Sequence, residues 1–191
     1  MRISGGRARG IRLHLDCRVD SVRPATDRMR EAVFSSLGSL VEGARVLDLF
    51  AGSGAYGLEA LSRGGASGVW VERDPRVVGC LRRNADAVLK ALLPEEPVVA
   101  IRRGDVFRLQ ASEVFDLVFV DPPYDFDDES WRRVGEVLEG LRWGAEGRRL
   151  VVEVPGRRQG LVFSGWELCR QLGKSGPDDP GVLIFQPTEE R

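Results

Sequence analysis

The chain has a single histidine and three cysteines in 191 residues, and these scarcities exclude much chemistry at once. Cys17, Cys80 and Cys169 are odd in number, widely spaced and free of any C-x-x-C pattern. That usage fits reduced thiols in a cytoplasm rather than a disulfide scaffold. With His14 alone, a zinc site is not expected. No run is long and apolar enough to span a bilayer, and the opening "MRISGGRARGIRL" lacks the apolar centre of a secretory signal. The expectation is a cytoplasmic protein with neither metal nor membrane. Lysine is scarce as well, so nearly all the positive charge is arginine, which suits bidentate phosphate contacts.

A net charge of −1 argues neither for nor against nucleic acid, but its distribution is uneven. Arg2, Arg7, Arg9 and Arg12 precede the first acid, Asp16, and Arg23, Arg28 and Arg30 follow. These seven are candidates for RNA contact; a solvated basic face is the alternative. The length suits one domain with a short appendage, and 42% hydrophobic with 30% charged residues fits a globular enzyme.

"RIS" and "GIRLHL" around Gly5-Gly6 predict a small N-terminal β-hairpin. "DRMREAVFSSL" has helical periodicity, with Thr26 or Asp27 as its cap. From "RVLDLF" onward, strands and helices alternate: a helix over about 55–63, the strand "GVWVE", a helix from Pro75 towards Lys90, and the strands "VVAIR" and "FDLVFV". A helix over roughly 129–141, the strand "RLVVEV" and a terminal hairpin of "WELCRQLG" and "GVLIFQ" complete the chain. Alternation of this kind builds an α/β fold with a mostly parallel sheet and helices on both faces, and the closing strand pair predicts an antiparallel edge. The expected division is an extension over 1–42 and an α/β body over 43–191.

"VLDLFAGSGAYGLEAL" sets Gly52, Gly54 and Gly57 as G-x-G-x-x-G between a strand and a helix, where α/β folds bind ligands. Gly52 and Gly54 permit a sharp turn, and Gly57 eases packing of helix on strand. Asp48, just before the loop, would repel a pyrophosphate but suit an amine or a sulfonium-bearing amino acid. Glu72, about 20 residues past the loop, stands where an acid takes ribose hydroxyls. Asp105 could accept from an adenine amine. Together they describe a nucleoside without phosphates, such as S-adenosylmethionine, with Phe50, Ala51, Ser53, Arg73 and Val106 flanking the same cofactor. A nicotinamide enzyme is disfavoured, since there is no Tyr-x-x-x-Lys pair and His14 lies outside the α/β body.

Asp121, Pro122, Pro123 and Tyr124 end the fourth long strand, beside the loop. A nucleobase amine is a poor nucleophile because its lone pair is conjugated into the ring. Asp121 can accept one of its N–H groups and a diproline carbonyl the other, turning the lone pair towards a methyl donor. The prolines fix φ, and Tyr124 offers a face for an extruded base. Methylation at pyrimidine C5 would need a cysteine nucleophile here, and none is present.

"RISGGRARGIRL", "RPATDRMREAVFSSL", "LDLFAGSGAYGLEALSRG", "VERD" and "FVDPPY" together resemble the RsmD family, bacterial small-subunit ribosomal RNA methyltransferases acting on guanine N2. The resemblance implies a Rossmann-like class I methyltransferase fold with a seven-stranded sheet, S-adenosyl-L-methionine as donor, and 16S rRNA in an assembled or partly assembled 30S particle as substrate. It implies Gly52, Ser53 and Gly54 at the methionine part, Glu72 at the ribose, Asp105 at the adenine, and 121–124 around the guanine. It also implies that 23–28 covers the cofactor or touches RNA. A monomer is expected. Methylation of adenine N6 in DNA or another RNA, and a non-catalytic cofactor-binding RNA module, remain as alternatives.

Overall fold

Val46, Leu47, Asp48 and Leu49 are all buried in β1 (Arg45–Leu49), because it is an interior strand of a sheet with helices on both faces. The computed structural model describes residues 1–15, 27–94, 97–123, 125–144, 147–155, 160–173 and 180–188. β2 (Ser67–Glu72), β3 (Val98–Arg103), β5 (Leu117–Val120) and β7 (Arg149–Val154) join β1 as parallel neighbours, and β8 (Trp166–Gly173) and β9 (Gly181–Pro187) form the closing hairpin. The order is β3-β2-β1-β5-β7-β9-β8, with β9 antiparallel to both neighbours. The order reverses between β1 and β5, which opens a crevice at their carboxyl ends.

The helices are α1 (Asp27–Leu37), α2 (Ala55–Ser62), α3 (Pro75–Leu92) and α4 (Asp128–Glu139). Asp74 caps α3, accepting from Arg76 N at 2.8 Å, and Asp127 caps α4, accepting from Ser130 N at 2.8 Å. Among the described residues, no helix is long and apolar enough to cross a membrane.

Local geometry departs from the sequence reading in two segments. "FDLVFV" is not one strand: β4 (Val114–Phe115) leaves the main sheet to pair with β6 (Arg142–Trp143). The break is at Asp116, whose carboxylate takes Arg45 N at 2.9 Å and Arg45 Nε and Nη2 at 2.8 and 2.7 Å. The N-terminal hairpin is reduced to one bridge, Arg2 to Arg12, with Ile3 N donating to Ile11 O at 2.9 Å. Its apolar residues Ile3, Ala8 and Leu13 are buried against Leu58, Leu61, Trp70 and Leu81. Val33, Phe34, Leu37 and Val41 pack against Val46, Tyr56, Phe119 and Ile184. The described part of 1–42 therefore shares its cores with the sheet.

Candidate active site

β1 runs into a loop that reverses direction within five residues. Phe50, Gly52 and Gly54 all have positive φ, at 62°, 53° and 81°. For a bulky residue such as Phe50 this conformation is costly and concentrates at functional sites. Gly54 opens α2, and a Cβ there would lie 2.4 Å from Leu81 Cδ1. Gly57 has a different reason: a Cβ would meet Trp70 Nε1 at 2.4 Å, so only glycine lets α2 lie on β2. Asn84 fastens the loop from α3, donating to Ser53 O at 2.9 Å.

Asp48 lies beneath this loop, 2% exposed, and its Oδ2 accepts from Gly57 N at 2.9 Å, satisfying an otherwise orphan donor of the first turn of α2. Burial pushes its carboxyl up to about 8, with Glu72 adding and the Gly57 N–H opposing. At neutral pH the residue is therefore chiefly the protonated acid. One oxygen of Asp48 thus holds the start of α2, a structural task that the sequence reading of this acid as a cofactor contact did not foresee.

Glu72 ends β2 with Oε2 accepting from Gly52 N at 3.1 Å and Oε1 from Asp74 N at 2.9 Å. A carboxylate has about four lone-pair sites, so each oxygen retains one while the backbone fixes its aim. Asp105 is exposed and caps a short 3₁₀ turn, Oδ1 accepting from Phe107 N at 3.0 Å. Arg73 is exposed, while Ala51 and Val106 are buried. Ser53 is buried too, its hydroxyl 3.3 Å from Met1 Sδ. The half-buried Phe50 packs edge-on against Phe107 and Phe126, centroids 6.1 and 5.3 Å away, making an aromatic wall beside Asp105 that periodicity alone does not reveal.

Asp121 follows β5 and its N–H reaches Leu49 O at 3.5 Å, so the Asp-Pro-Pro corner adjoins the glycine loop. Pro122 is buried and Pro123 half-buried. Of the two diproline carbonyls, that of Pro123 is already engaged, accepting from Phe126 N at 3.3 Å. Tyr124 lies outside the described residues. Burial, then the nearby Glu153 and Asp48, push the Asp121 carboxyl well up. Glu153 is itself buried and accepts from Tyr56 Oη at 3.1 Å. The sequence reading missed both residues; the one signal was an acid inside the otherwise apolar "LVVEV".

The arginines divide. Arg2, Arg7, Arg9, Arg12 and Arg28 are exposed, with Arg7 Nη2 donating to Leu93 O at 3.2 Å and Arg2 Nε 3.9 Å from Asp27. Arg23 lies outside the described residues. Arg30 is a correction: it is fully buried, paired with Asp27 at 2.9 Å and Glu59 at 3.5 Å, and hydrogen-bonded to Arg2 O. A side chain so enclosed is structural, not an RNA contact. Glu59, unflagged by sequence, fixes the N-terminal segment by accepting from Ser4 N, Ser4 Oγ and Gly5 N at 2.7–2.8 Å.

Comparison with known proteins gives concordant findings. The model of the family described as conserved hypothetical protein 95 matches residues 1–176. The ribosomal RNA small subunit methyltransferase D of Escherichia coli K12 is 42% identical over 175 residues, 90% of this chain and 83% of that protein. The methyltransferase D of Haemophilus influenzae is 34% identical over 128 residues, 66% of this chain and 65% of that protein. The solved yhhF structure from Escherichia coli superposes with a TM-score of 0.78 at 30% identity, covering 98% of this chain and 97% of that one. An RNA methyltransferase from Salinibacter ruber, solved with S-adenosyl-L-homocysteine, shares the fold with a TM-score of 0.60 at 21% identity, over 88% and 97% of the two chains.

Proposed function

The chain belongs to the RsmD family, matched by the conserved hypothetical protein 95 model along 1–176, and from that membership we propose that its methyl acceptor is the N2 amine of one guanine in 16S ribosomal RNA. It is an S-adenosylmethionine-dependent ribosomal RNA methyltransferase. The observation that carries the finer reading is the adjacency of two corners: Asp121 leaves β5 directly beside the loop that leaves β1, its N–H on Leu49 O.

The loop fits a phosphate-free nucleoside better than a dinucleotide. Gly52 N–H, the kind of donor a pyrophosphate takes in dinucleotide folds, is already held by the Glu72 carboxylate. When bound, S-adenosylmethionine supplies a methyl group on a sulfonium, open to displacement by a nucleophile. Glu72, aimed by two backbone N–H groups, would hold the ribose hydroxyls with its remaining lone pairs. Asp105 would accept from the adenine amine, with Phe50, Ala51, Gly52, Ser53, Gly54, Arg73 and Val106 completing the cofactor's surroundings. On the substrate side, Asp121 in its ionised form accepts one N–H of the guanine amine. The Pro122 carbonyl is left for the other, because that of Pro123 closes the turn with Phe126. Held at both hydrogens, the amine turns its lone pair out of conjugation and towards the methyl carbon. Tyr124 would stack on the base.

The exposed Arg2, Arg7, Arg9, Arg12 and Arg28 would meet RNA phosphates, with Arg23 beside them in sequence. The segment 1–42 would then serve as the docking surface of a monomer acting in the cytoplasm on the 30S subunit or an assembly intermediate. The test is methylation of 30S particles and of naked 16S rRNA by wild type and Asp121→Ala, with mapping of the product. The expected product is one N2-methylguanine, absent with the variant, which still binds S-adenosylhomocysteine. Methyl transfer at adenine N6, or undiminished turnover by Asp121→Ala, would overturn the assignment.

A further inference from the structure

β5 and β7 run parallel in register, Phe119 opposite Val151 and Val120 opposite Val152. Phe119 and Val151 face α1 and α2, packing with Phe34 and Tyr56, whereas Val120 and Val152 face the opposite core. One residue further on each chain come Asp121 and Glu153, lateral neighbours on the α1/α2 face. The Tyr56 hydroxyl reaches across from α2 and donates to Glu153 Oε2 at 3.1 Å. Its ring is stacked on Phe119, centroids 5.1 Å apart and planes 16° apart, which fixes the hydroxyl on Glu153.

We propose that Glu153 and Tyr56 are positioning residues of the methyl transfer: Glu153 shares a proton with Asp121, and the Tyr56 hydroxyl decides which of the two acids holds it. The proposal rests on the reading of Asp121 as the amine acceptor. Two carboxyls side by side, Glu153 buried and Asp121 half-buried, cannot both ionise cheaply, so the pair keeps one proton over a range of pH where isolated acids would have none. The other groups facing the pair, among the described residues, are Asp48 on β1, which adds to the repulsion once it ionises, and Arg30 on α1, whose charge acts on Tyr56. β9 contributes apolar Val182 and Ile184. Burial, followed by Glu153 and Asp121, holds the Tyr56 phenol well above its ordinary range, so it remains a donor.

A donated hydrogen bond favours the ionised form of its acceptor. Tyr56 therefore keeps the negative charge on Glu153 and sends the shared proton to Asp121. Asp121 becomes an amine acceptor only when that proton leaves, so Glu153 sets the pH above which the corner is competent. The role is one of timing rather than contact, since neither Glu153 nor Tyr56 is asked to touch the base.

The experiment is a carboxyl ¹³C NMR titration of the free protein, alongside the pH dependence of kcat for methylation of 30S particles. Glu153→Gln should lower the Asp121 midpoint by about one pH unit or more, and the acid limb of kcat should move down equally. Affinity for S-adenosylhomocysteine should not change. Tyr56→Phe keeps the stacked ring and should lower the Asp121 midpoint while raising that of Glu153, so it carries the test if Glu153→Gln does not fold. An unmoved Asp121 midpoint, or a moved midpoint with an unmoved acid limb, overturns the proposal. Failure of the wild type to methylate ribosomal RNA would instead refute the proposed function, with the free-protein titration still deciding whether the proton is shared.

Discussion

Replacing Glu59 by alanine should loosen the N-terminal segment and destabilise the whole chain, and its neighbours set the size of the loss. Glu59 is fully buried and accepts from Ser4 N, Ser4 Oγ, Gly5 N and Arg63 Nε at 2.7–2.9 Å. It also balances Arg30, equally buried, at 3.5 Å. Alanine would leave the Arg30 guanidinium, among the described residues, with only the partly exposed Asp27 as a counter-charge. Breaking a buried pair from one side costs about 3–5 kcal/mol, mostly from the charge left behind. The lost hydrogen bonds to Ser4 and Gly5 add less than their nominal strength, because these residues are half-buried and can take water instead. A loss of about 3–5 kcal/mol corresponds to a fall of roughly 6–20 °C in Tm for a chain of this length. Urea and thermal denaturation measure the total, and amide exchange at Ser4, Gly5, Arg7 and Ala8 shows where it is lost. Arg30→Met should cost about 1–3 kcal/mol less in the Glu59→Ala background than alone, since the two changes remove one interaction. A loss below about 1 kcal/mol with unchanged exchange would refute the view that this acid fastens the segment.

Glu72→Ala should weaken S-adenosylhomocysteine binding by roughly tenfold or more by calorimetry, from about 1.5–3 kcal/mol for hydrogen bonds to a charged group; equal affinity would move the ribose elsewhere. Gly57→Ala should destabilise by about 1–3 kcal/mol in urea, because its Cβ overlaps Trp70 Nε1 at 2.4 Å. A neutral outcome would mean that α2 shifts freely on β2. Asp48→Asn keeps an acceptor for Gly57 N while removing the charge. Wild-type Asp48 carries a carboxyl raised to about 8, so it binds its proton more tightly folded than unfolded, and it loses stability as pH rises from about 4 towards 8. The variant's Tm should therefore gain on wild type over that range, and a pH-independent difference would contradict it. Arg7→Ala with Arg9→Ala should weaken binding to 30S particles and flatten its salt dependence by up to about two phosphate contacts, with cofactor binding unchanged. An unaltered salt slope would leave these arginines a solvated face.

The sequence by itself determined the alternation of strands and helices, and with it the parallel sheet and the glycine loop at its crossover. Those features rest on periodicity and on short-range chemistry, apolar runs for buried strands and glycines for turns, which a chain carries locally. The Asp-Pro-Pro corner was legible for the same reason: a strand must end before it, and its two prolines stiffen the turn. What only the tertiary structure decided is which polar groups end up in water. Arg30 and the exposed Arg28 differ by two positions on one helix, yet Arg30 is enclosed because α1 turns that face towards Glu59 on α2. Asp48 is visible in sequence as an acid before the loop, but only the fold shows the helix start above it taking one oxygen and burial raising its proton affinity. Asp121 and Glu153 stand 32 residues apart in sequence and become neighbours through the β5–β7 register. No local pattern encodes that pairing, since it arises only when two strands align and a third element, α2, closes over them. Burial, register and proton affinity are properties of the assembled chain, and in this protein they govern the acids around the corner where the methyl group would move.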